Sequence, residues 1–87
     1  MNNTIEFETA TAAVAHLKAL VDVYWNKTIA EEEFISELTI FFSYSKNRGH
    51  IMRGSELAPV MEKLGKKRLE TFKAYLPKID NGKYNIV

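Results

Sequence analysis

From Ala10 onward, apolar residues recur at Ala10, Ala13, Val14, Leu17, Leu20, Val21 and Tyr24, in steps of three and four. That spacing puts them along one face of a helix. Trp25 widens the stripe at its C-terminal end, while His16, Lys18 and Asp22 fall on the opposite, solvent-facing side. Thr9 or Thr11 can supply the side-chain oxygen that caps the first amides. The seam is too short for a coiled coil, so the helix is expected to face a core.

A second helix starts in Thr28–Glu31, where two registers compete. Thr28 and Glu31 have the spacing of a capping box, with each side chain answering a backbone amide. In the other register Ala30 holds the cap position, a poor choice, while Ile29 and Phe34 form a hydrophobic staple and Glu33 stands at the third helical position. Either way Glu31, Glu32 and Glu33 lie in the first turn, where the helix dipole favours negative charge. The acidic triplet therefore reads as helix initiation and not as a metal site. The apolar face runs Phe34, Ile35, Leu38, Phe41, Phe42, with Ile40 off its axis.

No period survives between Ser43 and Gly54, and this stretch is expected to be a long, partly anchored loop. Ser55 can cap a short third helix ending near Leu64, with Leu57, Val60, Met61 and Leu64 on one face; Pro59 is tolerated there only in the first turn. Gly65 terminates it. A fourth helix opens on Lys66-Lys67-Arg68, turns Leu69, Phe72, Tyr75, Leu76 and Ile79 inward, and ends or bends at Pro77. At the termini, Ile5-Glu6-Phe7-Glu8 alternates like a short strand. Its available partner is Tyr84–Val87, which follows an Asp80-Asn81-Gly82 turn, so the ends either form a two-stranded clasp or remain unpaired tails.

The expected architecture is thus mostly α: a single domain over residues 1–87, a compact bundle of about four helices with that optional clasp. Leu17, Leu20, Tyr24, Trp25, Leu38, Phe42, Leu69 and Phe72 should form one buried cluster. With 46% hydrophobic and 26% charged residues, disorder is not expected. No basic, apolar leader opens the chain, and no apolar run is long enough to cross a membrane, which makes the cytoplasm the expected location.

Charge changes the picture once it is divided. Residues 1–42 carry net −5, residues 43–78 carry net +6, and the whole chain carries only +1. Such a chain either meets an acidic partner with its second half or neutralises itself. Three cations in the first turn of a helix oppose its dipole, which a sequence optimised for stability alone would avoid. Lys46, Arg48, His50 and Arg53 from the preceding segment, with Lys66, Lys67 and Arg68, are the candidate partner-binding residues, expected on one positive surface. Charge reversal at Lys66, Lys67 and Arg68 should then spare the fold.

Catalysis has little support. Without cysteine there is no thiol nucleophile, disulfide or Cys-ligated metal. His16 and His50 stand far apart, Gly65-Lys66-Lys67 lacks the upstream glycine of a phosphate loop, and no Gly-x-Ser-x-Gly elbow occurs. No enzyme activity, cofactor or metal is expected.

Three segments, Leu20-Val21-Asp22-Val23-Tyr24-Trp25, Ile29-Ala30-Glu31-Glu32-Glu33-Phe34 and Leu64-Gly65-Lys66-Lys67-Arg68-Leu69-Glu70, resemble the signature of a family of small uncharacterised proteins of Gram-positive bacteria and their phages. The resemblance covers roughly residues 14–76. In the family pattern a Ser stands where this chain has Ala30. The resemblance implies no activity or catalytic residue. It implies a small accessory gene on a mobile element, whose product is an inhibitor, anti-defence factor or regulator. The expected function is therefore stoichiometric binding of a host or competing protein with an acidic surface. The alternative is a nucleic-acid-binding regulator, because helix–Gly65–helix has the outline of a helix-turn-helix. A homodimer through the first helix is the third arrangement the residues allow.

Overall fold

Thr9 opens the first helix. Its backbone is extended, and its Oγ1 accepts a hydrogen bond from the Ala12 amide at 3.1 Å. In the structure, a computed structural model that describes residues 5–53 and 56–76, helix α1 runs Ala10–Trp25. Ala13, Val14, Leu17, Leu20 and Val21 are buried along it, as the three-and-four spacing requires. The helix closes through Asn26 and Lys27: the Lys27 amide donates to Tyr24 O at 3.0 Å and the Thr28 amide to Val23 O at 2.9 Å. This pair of bonds satisfies the last carbonyls and needs a left-handed residue, a place that usually falls to glycine. Here Lys27 takes it, at φ 60°.

Helix α2 spans Glu31–Ser43, with Ala30 at its cap and no side-chain bond to the first amides. Ile29 and Phe34 are both buried, so the hydrophobic staple sets the register and the Thr28 capping box does not form. A serine at position 30 would add the missing oxygen. Ala30→Ser is therefore expected to stabilise the domain by about 0.5–2 kcal/mol, with Thr28→Ala nearly silent. Urea denaturation of both variants checks this, and a larger loss from Thr28→Ala would reverse the assignment.

The segment expected to be a loop contains a helix. After an extended Tyr44, α3 runs Ser45–Ile51. It lacks an apolar stripe because only two of its positions, Asn47 and Ile51, are fully buried, and one of them is polar. Asn47 Oδ1 accepts from the Phe7 amide at 2.8 Å, and Nδ2 donates to Ile5 O at 2.9 Å and Phe41 O at 3.1 Å. His50 Nε2 donates to Phe7 O at 2.8 Å. Residues 5–8 are consequently not a strand but an extended strap whose polar backbone atoms are bonded by α3. The other half of the expected clasp, Tyr84–Val87, lies outside the described residues. Phe7 packs between His16 and Phe41, at centroid distances of 5.0 and 6.1 Å.

A two-stranded sheet does occur, elsewhere. Strands β1 (Met52–Arg53) and β2 (Glu56–Leu57) pair antiparallel, with Met52 opposite Leu57 and Arg53 opposite Glu56. The helix expected from Ser55 begins later, as a 3-10 helix over Pro59–Leu64 with Pro59 in its first turn; Ser55 itself and Ile79 lie outside the described residues. Gly65, at φ 86° and ψ 155°, separates it from α4, Lys66–Tyr75. That conformation is essentially restricted to glycine.

All of these helices pack on α1. The core between them is built from Leu17, Val21, Phe34, Leu38, Phe41, Phe42, Ile51, Met61, Leu64, Phe72 and Leu76, each at most 1% exposed. The expected fold class holds: mostly α, with a small antiparallel pair. Of the expected cluster, Leu17, Leu20, Leu38, Phe42 and Phe72 are buried, and Tyr24 and Leu69 pack against it half-buried. Trp25 does not join them; it is 43% exposed. Conversely His16 is half-buried instead of solvent-facing, and Glu37 is buried within the α2 face. Among the described residues no helix is long and apolar enough to cross a membrane.

Candidate functional site

The seven residues singled out for their charge divide by what holds them. On α3, Lys46 Nζ meets Glu8 Oε2 at 2.7 Å, Arg48 donates to Phe42 O near the end of α2, and His50 is spent on the strap. The Lys46 hydrogen bond and charge hold the Glu8 carboxyl below its usual range, and the bond to Glu8 raises the Lys46 ammonium above its own. Both groups are exposed, so the pair adds little stability. Lys46 and His50 join the chain's N-terminal segment to α3, and Arg48 joins α3 to the end of α2. Arg53 is exposed on β1.

Arg68 is also engaged, and its engagement defines a site. From the first turn of α4 its Nε donates to Asp22 Oδ1 at 2.7 Å and Nη2 to Oδ2 at 3.3 Å, two parallel bonds between planar groups. Nη1 donates to Leu64 O at 3.3 Å. Its carbon Cζ lies 5.8 Å from the centroid of the Trp25 ring, within cation–π range. Asp22 thus offsets the dipole cost of one of the three cations and pins the guanidinium beside an exposed indole. Lys66 and Lys67 remain exposed, their side chains making no ion pair or hydrogen bond among the described residues. Reversing Arg68 would set a carboxylate against Asp22, so the expectation that all three cations can be reversed without harm holds only for Lys66 and Lys67.

Behind this corner, α1, α2 and α4 are tied by aromatic groups. Tyr24 stacks on Phe34 with ring centroids 4.6 Å apart, and both meet Tyr75 edge-on. Tyr24 and Tyr75 hydroxyls lie 2.5 Å apart, and Tyr75 Oη donates to Glu31 Oε2 at 3.2 Å. The bond to Tyr24, burial and the nearby Glu31 all push the Tyr75 phenol upward. The three sequence segments that carried the family resemblance therefore converge at one end of the molecule: Asp22, Tyr24 and Trp25 from the first, Glu31 and Phe34 from the second, Arg68 from the third. Sequence reasoning singled out Arg68 and missed Asp22 and Trp25 as its partners, because no local signal links positions 46 residues apart.

Chemically the corner offers cations and an indole face. Among the described residues no three His, Asp or Glu side chains gather as a metal site. The molecule is a small helical domain organised around one central helix, with an aromatic and basic corner where α1 ends and α4 begins. The chain belongs to a family of conserved hypothetical proteins of bacteria, whose pattern it matches over residues 9–76. No curated protein and no solved structure matches the chain.

Proposed function

We propose that this protein is a non-enzymatic, cytoplasmic accessory factor that binds a host or competing protein stoichiometrically, through an acidic patch on that partner. The reading rests on one observation: Trp25 is 43% exposed, with the Arg68 guanidinium fixed against its ring and Lys66 and Lys67 beside Arg68 in sequence. Trp and Arg are the residues that most often carry binding energy at protein interfaces, and pre-positioning by Asp22 lowers the ordering cost. The contact surface is narrower than the sequence implied, centred on Trp25, Lys66, Lys67 and Arg68, with the α3 cations Lys46, Arg48 and His50 serving the fold. Carriage by a phage or other mobile element, and a role as inhibitor or regulator, belong to the same proposal. They rest on the family resemblance.

Nucleic-acid binding fits the geometry less well. The element before Gly65 is a 3-10 helix and the turn is a single residue. A helix-turn-helix joins two helices through a turn of about three or four residues.

The double reversal Lys66→Glu, Lys67→Glu should leave the fold intact, since it favours the α4 dipole, and should abolish capture of the partner from nuclease-treated native lysate. With the purified partner, salt should slow association and change affinity modestly. A log-linear loss of about 0.9 units of slope per contact would mark phosphate binding instead. Unchanged capture by the double variant sinks the proposal.

A further inference from the structure

Residues 5–8 lie in a groove that answers their backbone. Phe7 donates its amide to Asn47 Oδ1 at 2.8 Å and receives His50 Nε2 on its carbonyl at 2.8 Å, while Ile5 O receives Asn47 Nδ2 at 2.9 Å. In an extended chain alternate residues turn these groups to the same side, as a strand does toward its neighbour. Here two side chains of α3, one helical turn apart, stand where the neighbouring strand would. Any peptide presents such groups, whatever its sequence.

Two positions of the strap are read by their side chains. The Phe7 ring closes a triangle with His16 and Phe41, at centroid distances of 5.0 and 6.1 Å, with 6.4 Å between those two. Glu8 Oε2 meets Lys46 Nζ at 2.7 Å. Ile5 and Glu6 are exposed. Peptide-binding modules recognise extended segments in this way, with backbone bonds for affinity and side-chain seats for selectivity. The pattern this groove selects is an aromatic residue followed by an acidic one.

The two sides of the contact are unequally built. On the groove side Asn47 and Phe41 are fully buried, His16 and His50 are half-buried, and all four are carried by helices. On the strap side Phe7 is half-buried, Ile5 is 57% exposed, and residues 5–8 belong to no helix or strand. Segments with few buried contacts open before the core of a domain does. The groove is the fixed part and its occupant the replaceable one.

We propose that the groove on α3 is a binding site for an extended segment of a partner protein that carries an aromatic residue followed by an acidic one, and that residues 5–8 fill it in cis until such a segment displaces them. The strap leads into the start of α1, whereas the Trp25 corner lies at the end of that helix, and the site does not depend on the corner.

Titration of the full chain with the blocked peptide Ile-Glu-Phe-Glu, followed by two-dimensional NMR, tests it. Phe7→Ala vacates the ring seat and leaves the groove's own side chains in place. In this variant saturable shifts at Asn47, His50 and Phe41 are expected, with affinity of about millimolar for so short a ligand. The wild-type chain should show the same shifts at least about tenfold more weakly, since its own strap must first leave. If Phe7→Ala does not fold, the wild-type titration decides alone. Ile-Glu-Ala-Glu should bind at least about tenfold more weakly than Ile-Glu-Phe-Glu. Adding Lys46→Glu should turn a preference of about twofold to fivefold for Ile-Glu-Phe-Glu over Ile-Glu-Phe-Lys into the reverse. The double reversal Lys66→Glu, Lys67→Glu should leave peptide binding unchanged, so that failure of either reading shows separately. No saturable shift with Ile-Glu-Phe-Glu, or equal binding of Ile-Glu-Ala-Glu, overturns the proposal. Concentration-dependent dimerisation of the wild type that Phe7→Ala abolishes, measured by sedimentation, also overturns it, by making the occupant a second copy of this chain.

Discussion

Asn47→Ala is expected to destabilise the domain by roughly 2–4 kcal/mol, although it removes only a few atoms, because it takes a hydrogen-bond partner from groups in three places. The Phe7 amide and Ile5 O bond to this one side chain, and Phe41 O, which also receives the Tyr44 amide, takes a second donor from it. Each group that stays dry without a partner costs about 1–3 kcal/mol, and those nearer the surface recover part of this from water. Asn47→Asp separates the contributions. Aspartate still accepts from the Phe7 amide, but it turns an acceptor toward two carbonyls that now receive a donor. It should be about as damaging as alanine, and urea midpoints of the two variants measure this. Amide exchange at Phe7 should rise sharply in Asn47→Ala while the centre of α1 stays protected relative to the new global stability. If Asn47→Asp is close to wild type, the strap is not held as described.

The second large effect is at Phe72. This ring is fully buried, stacks near Phe42 at a centroid distance of 6.0 Å, and is the buried residue within α4. Phe72→Ala should cost about 3–5 kcal/mol through lost burial and the cavity left behind, enough to unfold much of a domain this small. Trp25→Ala is the matched control. It deletes a larger ring, yet from a position 43% exposed, and should cost much less. Thermal denaturation of the pair decides the inward face of α4 and the outward face at the end of α1. Similar losses from both would mean that Trp25 is a core residue after all.

The contrast also shows where the sequence was informative. Helices α1 and α2 were legible because their apolar spacing carries the signal directly, and Phe34 together with Ile29 marks the start of α2 even though Ala30 is a poor cap. Gly65 was legible because few other residues tolerate its backbone angles. Helix α3 was not, since Asn47 does by hydrogen bonding what an apolar residue would ordinarily do by burial, and polarity reads as loop. Trp25 was misplaced for a related reason. It extends the α1 stripe by adjacency, and nothing local reveals that Arg68 covers one side of the ring. The candidate basic residues were found by charge alone, which cannot separate cations that hold the fold, such as Lys46 and Arg48, from those left facing solvent, such as Lys66 and Lys67. Asp22, Glu8 and the carbonyls that sort them lie tens of residues away.

The central place of α1 also sets a schedule. During synthesis α1 is made before the helices that cover it, and the strap ahead of it cannot be secured until Asn47 and His50 exist. Its last large partner, α4, follows roughly 50 residues later, an interval of about 3–10 s at ordinary translation rates. Through that time the face bearing Leu17, Leu20 and Val21 is only partly covered. The residues that make this helix the hub of the finished domain therefore make it the surface most in need of protection while the chain is incomplete.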